Sequence, residues 1–489
     1  MSFKDLSEFI QKLKKTTNEL AVIEAPVDPK LEITEIYDRV VKKEGPALLF
    51  KNVQGSKMPL AINLFGSSKR MAMALGVENL SHIAERIETL LDSKIPQTLW
   101  EKFWMLPKLL ELNAIMPKRV GHAPCQEVVV RAGEGPILSK LPIIQCWPKD
   151  GGKFITLPLV FTKDPETGKR NVGMYRMHVY DDTTTGMHWQ VHKDGAEHFR
   201  KLAPNEKRRL PVACVIGADP ATIFSAACPL PNGMDELMLA GFLRKSPVEL
   251  VRCKTIDLEV PAEAEIVLEG YVEEGETRLE GPFGDHTGFY SRAKEFPVFH
   301  ITCMTHRKNP IYAATVVGRP PMEDCYMGRA IEKIFLPLIQ KQFPEITDIH
   351  LPWEGSFHNC VIVAVRKSYP KQGQKIIHGL WGFGQLMFSK AIIVLDHDAN
   401  IKDMREVSWR VLNNFDPKRD VVFGDGPLDE LDHGASQDLF GSKIGIDATR
   451  KNEEEGMKRP WPEDIAMSSE IKRLVASRWQ EYGLDPKYL

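Results

Sequence analysis

No two of the eight cysteines in this 489-residue chain form a C-x-x-C pair. Cys125, Cys146, Cys214, Cys228, Cys253, Cys303, Cys325 and Cys360 are scattered instead. That excludes a disulfide scaffold and a paired-thiol metal site, and the expectation is of reduced, mostly buried thiols in a cytoplasmic protein. A large excess of charge of either sign is missing too. Lys plus Arg is 64 and Asp plus Glu is 66, a formal net charge of -2. The basic excess that binding to nucleic-acid phosphates requires is absent, so no nucleic-acid partner is expected. No apolar run approaches the length that crosses a bilayer. The opening "MSFKDLSEFIQKLKK" is too charged for a signal peptide. There is no internal repeat and no low-complexity tract. A Walker A loop is missing, and no G-x-G-x-x-G lies between a strand and a helix, which removes the usual ATP and NAD signatures. His188 and His192 have H-x-x-x-H spacing, but Trp189 stands where a zinc peptidase needs Glu, in a stretch that reads as strand and loop.

What remains is a chain 43% hydrophobic and 27% charged, with ample material for cores and a length that suggests about three domains. Residues 1–120 read as a mixed α/β region. Leu6, Phe9, Ile10 and Leu13 predict an amphipathic helix, with Ser2 and Asp5 as its capping box. Ile83, Ile87, Leu90 and Leu91 predict a second helix, and residues 100–112 a third. Residues 121–320 are β-rich: "EVVV" (127–130), "NVGMYRMHVY" (171–180), "PVACVIG" (211–217), "AEIVLEGYVEEGE" (264–276), "FPVFHITCMTH" (296–306) and "IYAATVVG" (311–318), with one helix expected over 234–246. That spacing suggests an antiparallel sheet or barrel. Residues 321–450 alternate helical stripes with the apolar runs "VIVAV" (361–365) and "AIIVLD" (391–396), as in an α/β domain whose strands are covered on both faces. The tail, 451–489, ends in an expected helix suited to contact with a neighbouring subunit.

Four places could carry chemistry. In "EGPFGDHTGFY" (280–290), Glu280 and Asp285 bracket a Gly-Pro-Phe-Gly turn. Gly281, Pro282, Gly284 and Gly288 fix or permit unusual backbone angles, while Phe283, Phe289 and Tyr290 favour burial. Partial burial would raise the carboxyl pKa values toward neutrality and suit acid–base work; the plain alternative is a surface turn with two solvated acids. In "NVGMYRMHVYDDTTTGMHWQVHKDG" (171–195), Arg176 is a fixed cation able to grip carboxylates, and Asn171 and His192 are candidate metal ligands. Residues 171 and 176 of a regular strand face opposite ways, so both serve one site only if the strand is bulged or passes between a cofactor and a substrate. His178 reads as part of a polar sheet face. Glu236 lies just inside a helix, where first-turn stabilisation is the ordinary role of an acid. Lys390 precedes a buried strand, as a phosphate contact or a solvated strand end.

Together these segments resemble the UbiD family of decarboxylases, closest to the bacterial 4-hydroxy-3-polyprenylbenzoate decarboxylases. The landmarks are "NVGMYR" (171–176), "MHWQVHKDG" (187–195), residues 257–290, "GRPPMED" (318–324), "KQFPEITDIHLP" (341–352), "SKAIIVLDHDAN" (389–400) and "GSKIGIDAT" (441–449), in family order. The resemblance implies a central FMN-binding split β-barrel flanked by α/β domains, in a homo-oligomer, dimer or hexamer. It implies prenylated FMN made by a partner flavin prenyltransferase, a manganese or magnesium ion and a potassium ion. By the same resemblance Asn171, His192 and Glu236 hold the divalent ion. Met174, Tyr175, Arg176, His188, Trp189, Gln190, Lys193, Asp194 and Lys390 contact the cofactor. Arg176, Glu280 and Asp285 form the catalytic set, with Asp285 giving the proton and the Glu280–Arg176 ion pair orienting the substrate. The implied reaction is non-oxidative loss of CO2 from an aromatic acid, with 4-hydroxy-3-polyprenylbenzoate of ubiquinone-type quinone biosynthesis as the expected substrate and peripheral membrane contact through so lipid-like a molecule. Another aryl acid (phenolic, hydroxybenzoate or naphthoate, reversibly) is the alternative. Family members that act on acrylic acids often carry Glu at the second acid, and Asp285 is one methylene shorter, which favours a bulkier aromatic. A plain flavin oxidoreductase and a non-catalytic scaffold are the readings from other classes.

Overall fold

The computed structural model describes residues 2–91, 114–190, 193–202, 208–230 and 234–488. Its architecture is mixed α/β, as expected. The first helix, Leu6–Lys15, buries Leu6, Phe9, Ile10 and Leu13, the four residues of the apolar stripe. Its cap is Asp5, whose side chain accepts from the Glu8 N–H, so the helix starts three residues later than a Ser2 cap would place it. The strands Leu20–Ile23, Ala47–Phe50 and Leu60–Ile62 form a small sheet that is completed by Tyr312–Ala313. The expected strand over 311–318 thus contributes two laddered residues, and to this sheet rather than the central one. Helix Ser81–Leu91 buries Ile83 and Ile87. The side chains of Leu90 and Leu91, and the helix expected over 100–112, lie outside the described residues.

Seven strands make the central sheet. Across it run Thr184–Gly186, Lys294–His306, Ile266–Glu280, Arg209–Ile216, Pro158–Lys163 and Arg170–Met174, with Val128–Arg131 paired to Lys294–His306 off this path. Among the described residues these pairings form an open path without a closing ladder. Alternate side chains feed two cores. Val267, Val215, Leu159 and Phe161 join one with Leu6 and Phe9. Ile266, Leu268, Cys214 and Val160 join the other with Phe299. Both faces are therefore covered, which is why these strands read as near-continuous apolar runs. At the register shift after Glu269, a Cβ on Gly270 would collide with the His300 carbonyl oxygen, so only glycine fits this bulge.

Helix Glu323–Gln342 runs through Pro337 and leads into a five-stranded sheet, ordered Ile346–His350, Cys360–Val365, Ala391–Asp396, Phe440–Asp447, Val421–Pro427. Val361, Val363 and Val365 pack on Ile376, Ile377 and Leu380 of helix Gln372–Trp381. Ile362 and Ala364 pack on Val407 and Val411 of helix Met404–Asn414. The tail helix, Ser469–Ser477, buries nothing in the single chain, and Ile465, Met467, Ile471 and Leu474 are exposed. All eight cysteines are free and buried or half-buried. No described helix is long and apolar enough to cross a membrane.

Candidate active site

Arg170–Met174 leaves its ladder at Tyr175 and Arg176, and pairing resumes at Met177–His178 with Phe154–Ile155 in a different sheet. The chain changes sheets at these two residues. The alternation that would set residues 171 and 176 on opposite faces is broken there, as their sharing one site requires. Gly173 permits Tyr175 to fold back, since a Cβ there would collide with the Tyr175 ring. The Tyr175 hydroxyl meets the Asn171 side chain, and burial pushes its pKa up to about 12.

Glu280 ends the long strand, and the loop after it takes left-handed angles at Gly281 (φ +91°) and Gly288 (φ +82°), where glycine is required. Gly284 lies against Trp147, leaving no room for a Cβ. Asp150 ties this turn down: Oδ1 accepts from the Gly284 N–H at 2.8 Å and Oδ2 from the Trp147 N–H at 2.8 Å. Phe283 is buried, as expected. Phe289 is not: it is 56% exposed, its ring 4.1 Å from that of His433. Tyr290 is also exposed, its hydroxyl accepting from the Lys149 N–H. An apolar loop tip costs little where a neighbouring segment shields one side.

Arg176 joins the two acids. Its Nε donates to Glu280 Oε1 at 3.1 Å, Nη1 to Asp285 Oδ2 and Nη2 to Ser291 Oγ at 3.2 Å. The Phe283 ring lies 4.6 Å from its Cζ. Glu280 Oε1 also meets His188 Nδ1 at 2.8 Å, while its Oε2 has no protein partner. Both acids are buried, yet neither is driven toward neutrality as the sequence suggested. Burial works to raise Glu280, but His188 and Arg176 outweigh it and hold the carboxyl below its usual range. Burial likewise opposes the charge on Asp285, and Arg176 with His286 more than compensates, so this carboxyl is held low as well. A salt-bridged arginine overrides desolvation.

Of the candidate metal ligands, Asn171 lies on the strand that leads to Arg176, and Glu236 comes from a helix that meets it. Glu236 opens helix Glu236–Arg244, capped by Asp235. One of its oxygens accepts from the Val172 N–H at 3.0 Å, next in sequence to Asn171. No cationic side chain pairs with Glu236 among the described residues. Burial first, and the charges of Asp235 and Asp194 after it, push its carboxyl up to about 7. Asn171 is buried with Nδ2 unpartnered. Arg170 pairs with Asp235 at 2.6 Å, which leaves the Glu236 carboxyl, the Asn171 amide and the Tyr175 phenol as a hard oxygen donor set that fits manganese or magnesium. His192 lies outside the described residues. Glu236→Ala is expected to abolish retention of a divalent ion and to loosen bound flavin, measured as metal and flavin content after gel filtration.

Of the remaining expected contacts, Met174 is half-buried and its N–H donates to the Ala226 carbonyl. Trp189 is buried with Nε1 unpartnered, and His188 Nε2 is unpartnered too. An unpartnered buried indole N–H and an unpartnered imidazole nitrogen suit a large polar-rimmed cofactor. Gln190 accepts the Lys193 N–H, and Lys193 caps helix Asp194–Arg200. His188 to Gln190 have no helical structure. Lys390 joins neither group, for its Nζ bonds Asp432 Oδ1 at 2.6 Å. His178 is buried, not on a solvated face, its ring stacked 4.4 Å from that of Phe154. Sequence reasoning missed Asp150, Ser291, His286 and His358. Of these only His286 carried a signal, its place beside Asp285.

The family described as 3-octaprenyl-4-hydroxybenzoate carboxy-lyase matches the chain in three parts: its N-terminal domain at residues 11–90, its Rift-related domain at 118–320 and its C-terminal domain at 325–448. An uncharacterized protein of Archaeoglobus fulgidus is 50% identical over 482 residues, covering 98% of this chain and 99% of its own. Among solved structures, vanillic acid decarboxylase of Sedimentibacter hydroxybenzoicus in its closed form superposes with TM-score 0.85 at 25% identity, covering 99% of this chain and all of that one. HmfF of Pelotomaculum thermopropionicum, a UbiD-class enzyme bound to FMN, gives 0.80 at 28% identity over 97% of this chain and 99% of its own. An evolved dimeric form of HmfF with prFMN gives 0.77 at 27% identity, over 96% and 98%.

Proposed function

The chain belongs to the UbiD family of decarboxylases, and from that premise we propose that it uses prenylated FMN to remove CO2 from a 4-hydroxy-3-polyprenylbenzoate-type acid of quinone biosynthesis. The observation that carries this reading is one guanidinium, Arg176, held between two buried carboxylates. When bound, the cofactor supplies an electron sink for the in-plane pair that CO2 leaves on an aromatic carbon, a pair that side chains stabilise poorly.

The protein's own part is position, dryness and a proton. Asn171, His192 and Glu236 would hold manganese or magnesium, which would neutralise phosphate charge on the cofactor, and a potassium ion would complete the set. Met174, Tyr175, His188, Trp189, Gln190, Lys193 and Asp194 would line the cofactor, and Lys390 would serve its phosphate only by exchanging Asp432 for it. The Arg176–Glu280 pair fixes the acid in the dry pocket and sets the charge on Asp285. Asp285 carries the proton to the carbon that loses CO2. A flavin prenyltransferase supplies the cofactor, and the enzyme works in the cytoplasm as a dimer or hexamer joined through the exposed tail, meeting a membrane surface to collect a lipid-like substrate.

The likeness to vanillic acid decarboxylase favours a second reading, a smaller phenolic acid. One experiment separates them. Protein made together with a flavin prenyltransferase is expected to show the modified flavin by mass spectrometry and to release CO2 from a panel of aryl acids of graded size, fastest with polyprenyl-substituted hydroxybenzoates. A maximum at vanillate-sized acids selects the second reading. Binding of unmodified FMN alone, with NADH oxidation, would instead mark a plain flavin oxidoreductase.

A further inference from the structure

Every oxygen of Asp285 is held by a protein donor. Arg176 takes Oδ2; Oδ1 accepts from the His286 backbone N–H at 2.8 Å and meets the His286 ring Nδ1 at 2.9 Å. Asp285 itself is 5% exposed. A guanidinium does not give up its proton at working pH, and neither does a peptide N–H. The imidazole is the one bonded neighbour able to reload this carboxyl.

The far side of that ring is engaged as well. His286 Nε2 lies 2.7 Å from His358 Nε2, so one of the two nitrogens carries the hydrogen between them. His358 comes from residues 353–359, beyond helix Glu323–Gln342, in a loop where Ser356 and Phe357 both have φ of +50°. A phenylalanine in that region is strained and is held there by its surroundings. The Phe357 ring lies against His286, with centroids 5.2 Å apart and planes 23° from parallel. The ionisable groups facing the two rings are Asp285 and Arg176 on the catalytic side, Asp324 at the start of helix Glu323–Gln342, and Asp429 with the Lys390-bonded Asp432 ahead of strand Phe440–Asp447.

We propose that His286 stores the proton that Asp285 delivers in the decarboxylation assigned above, on which this inference rests, and that His358 is a positioning residue that locks the His286 ring with Nδ1–H on Asp285. The Nδ1–H bond of His286 breaks, its electron pair staying on nitrogen, as an O–H bond forms on Asp285. Asp285 then passes the proton to the carbon, where the pair left by departing CO2 becomes the new C–H bond. His286, now neutral, takes one proton from water as product leaves. One solvent proton is consumed for each CO2 released, so charge and atoms balance. The electrostatics agree in direction. Burial opposes a charge on His286, but Asp285, Asp324 and Asp429 overcome it and raise its pKa above the ordinary value. Burial, then the neighbouring His286 charge, pushes His358 down to about 4. Both shifts favour placing the charge on His286 rather than on His358, the arrangement in which His286 donates from both nitrogens.

The test uses cofactor-loaded enzyme and His286→Asn, whose amide can bond Asp285 but has no proton to give. Turnover is expected to fall about 100-fold, the lower end of what a lost acid–base group costs. The KM for the acid should move little, which separates a proton role from a binding role. The pH profile carries the signature. A raised histidine keeps its charge below its folded pKa and loses it above, so wild-type kcat should decline as pH climbs through that value, and the variant should lack this limb. His358→Phe should slow turnover, and His358→Gln, whose carbonyl can still accept from Nε2–H, should recover part of the loss. A second readout needs no turnover: in protein free of cofactor, the ¹⁵N signals of His286 should show both ring nitrogens protonated near neutral pH. His358→Phe should shift the same signals, which identifies them even if His286→Asn fails to fold. A neutral His286 ring, or His286→Asn with wild-type kcat and an unchanged alkaline limb, overturns the proposal. If the loaded wild type releases CO2 from no aryl acid, the function reading falls and this role with it; release by the wild type with an indifferent variant removes the role of His286 alone.

Discussion

Asp285→Asn is expected to lower turnover by about 10²- to 10⁴-fold while flavin and metal stay bound. The amide is nearly isosteric and can still accept from Arg176, so the loop should keep its shape. What it cannot do is carry a proton between the His286 ring and a substrate carbon. Cofactor retention is part of the prediction, because Asn171 and Glu236, the proposed anchors of the metal and flavin, are untouched. Measuring kcat alongside flavin absorbance and bound metal in one preparation distinguishes lost chemistry from lost assembly. A flavoprotein that merely transfers electrons would be indifferent to this change. Unchanged turnover would remove Asp285 from the mechanism.

The second large effect belongs to stability. Arg176→Met should destabilise the fold by about 3–5 kcal/mol, because removing one partner of a buried ion pair strands the others. Here two carboxylates are stranded, Glu280 and Asp285, both deeply buried. The pH dependence follows from the sign of their shifts. Both carboxyls are depressed in the native protein. Their stabilising contribution is therefore present above the unfolded carboxyl range, near pH 4, and is lost as pH falls through their folded values. Without Arg176, burial is opposed only by His188 and His286, and protonation relieves the stranded charges. The stability gap between variant and wild type should thus narrow on acidification. Denaturant unfolding at pH 7.5 and pH 5 would measure it; a gap that widens at pH 5 would mean that Arg176 does not set the charge on these acids. Arg176→Lys should fall between the two, since an ammonium lacks the fork that reaches both acids at once.

The parts of this fold that periodicity governs were legible in the residues. The stripe of Leu6, Phe9, Ile10 and Leu13 and the runs at 361–365 and 391–396 became a helix and two parallel strands because burial of those faces is what such patterns encode. The boundary errors were local: Asp5 rather than Ser2 caps the first helix, because Asp5 is the residue whose carboxylate reaches the Glu8 N–H. The site was half legible. Glu280, Asp285 and Arg176 could be singled out, but their charge states could not, since burial and ion pairing act in opposite directions and only the folded arrangement decides which wins. The change of sheet at Tyr175 and Arg176 has no signature in a stretch that reads as one strand. His358 sits 72 residues from His286, and no local pattern announces a contact over that separation. Asp432 hides Lys390 for the same reason.

The thiols have a practical consequence. All eight are shielded, and burial raises the pKa of each, so few thiolates are present to react near neutral pH. A single cysteine placed on the surface would outcompete them for a maleimide dye or a nitroxide. Distance probes could then span the catalytic loop and the 353–359 loop without first stripping the native sulfur from the chain.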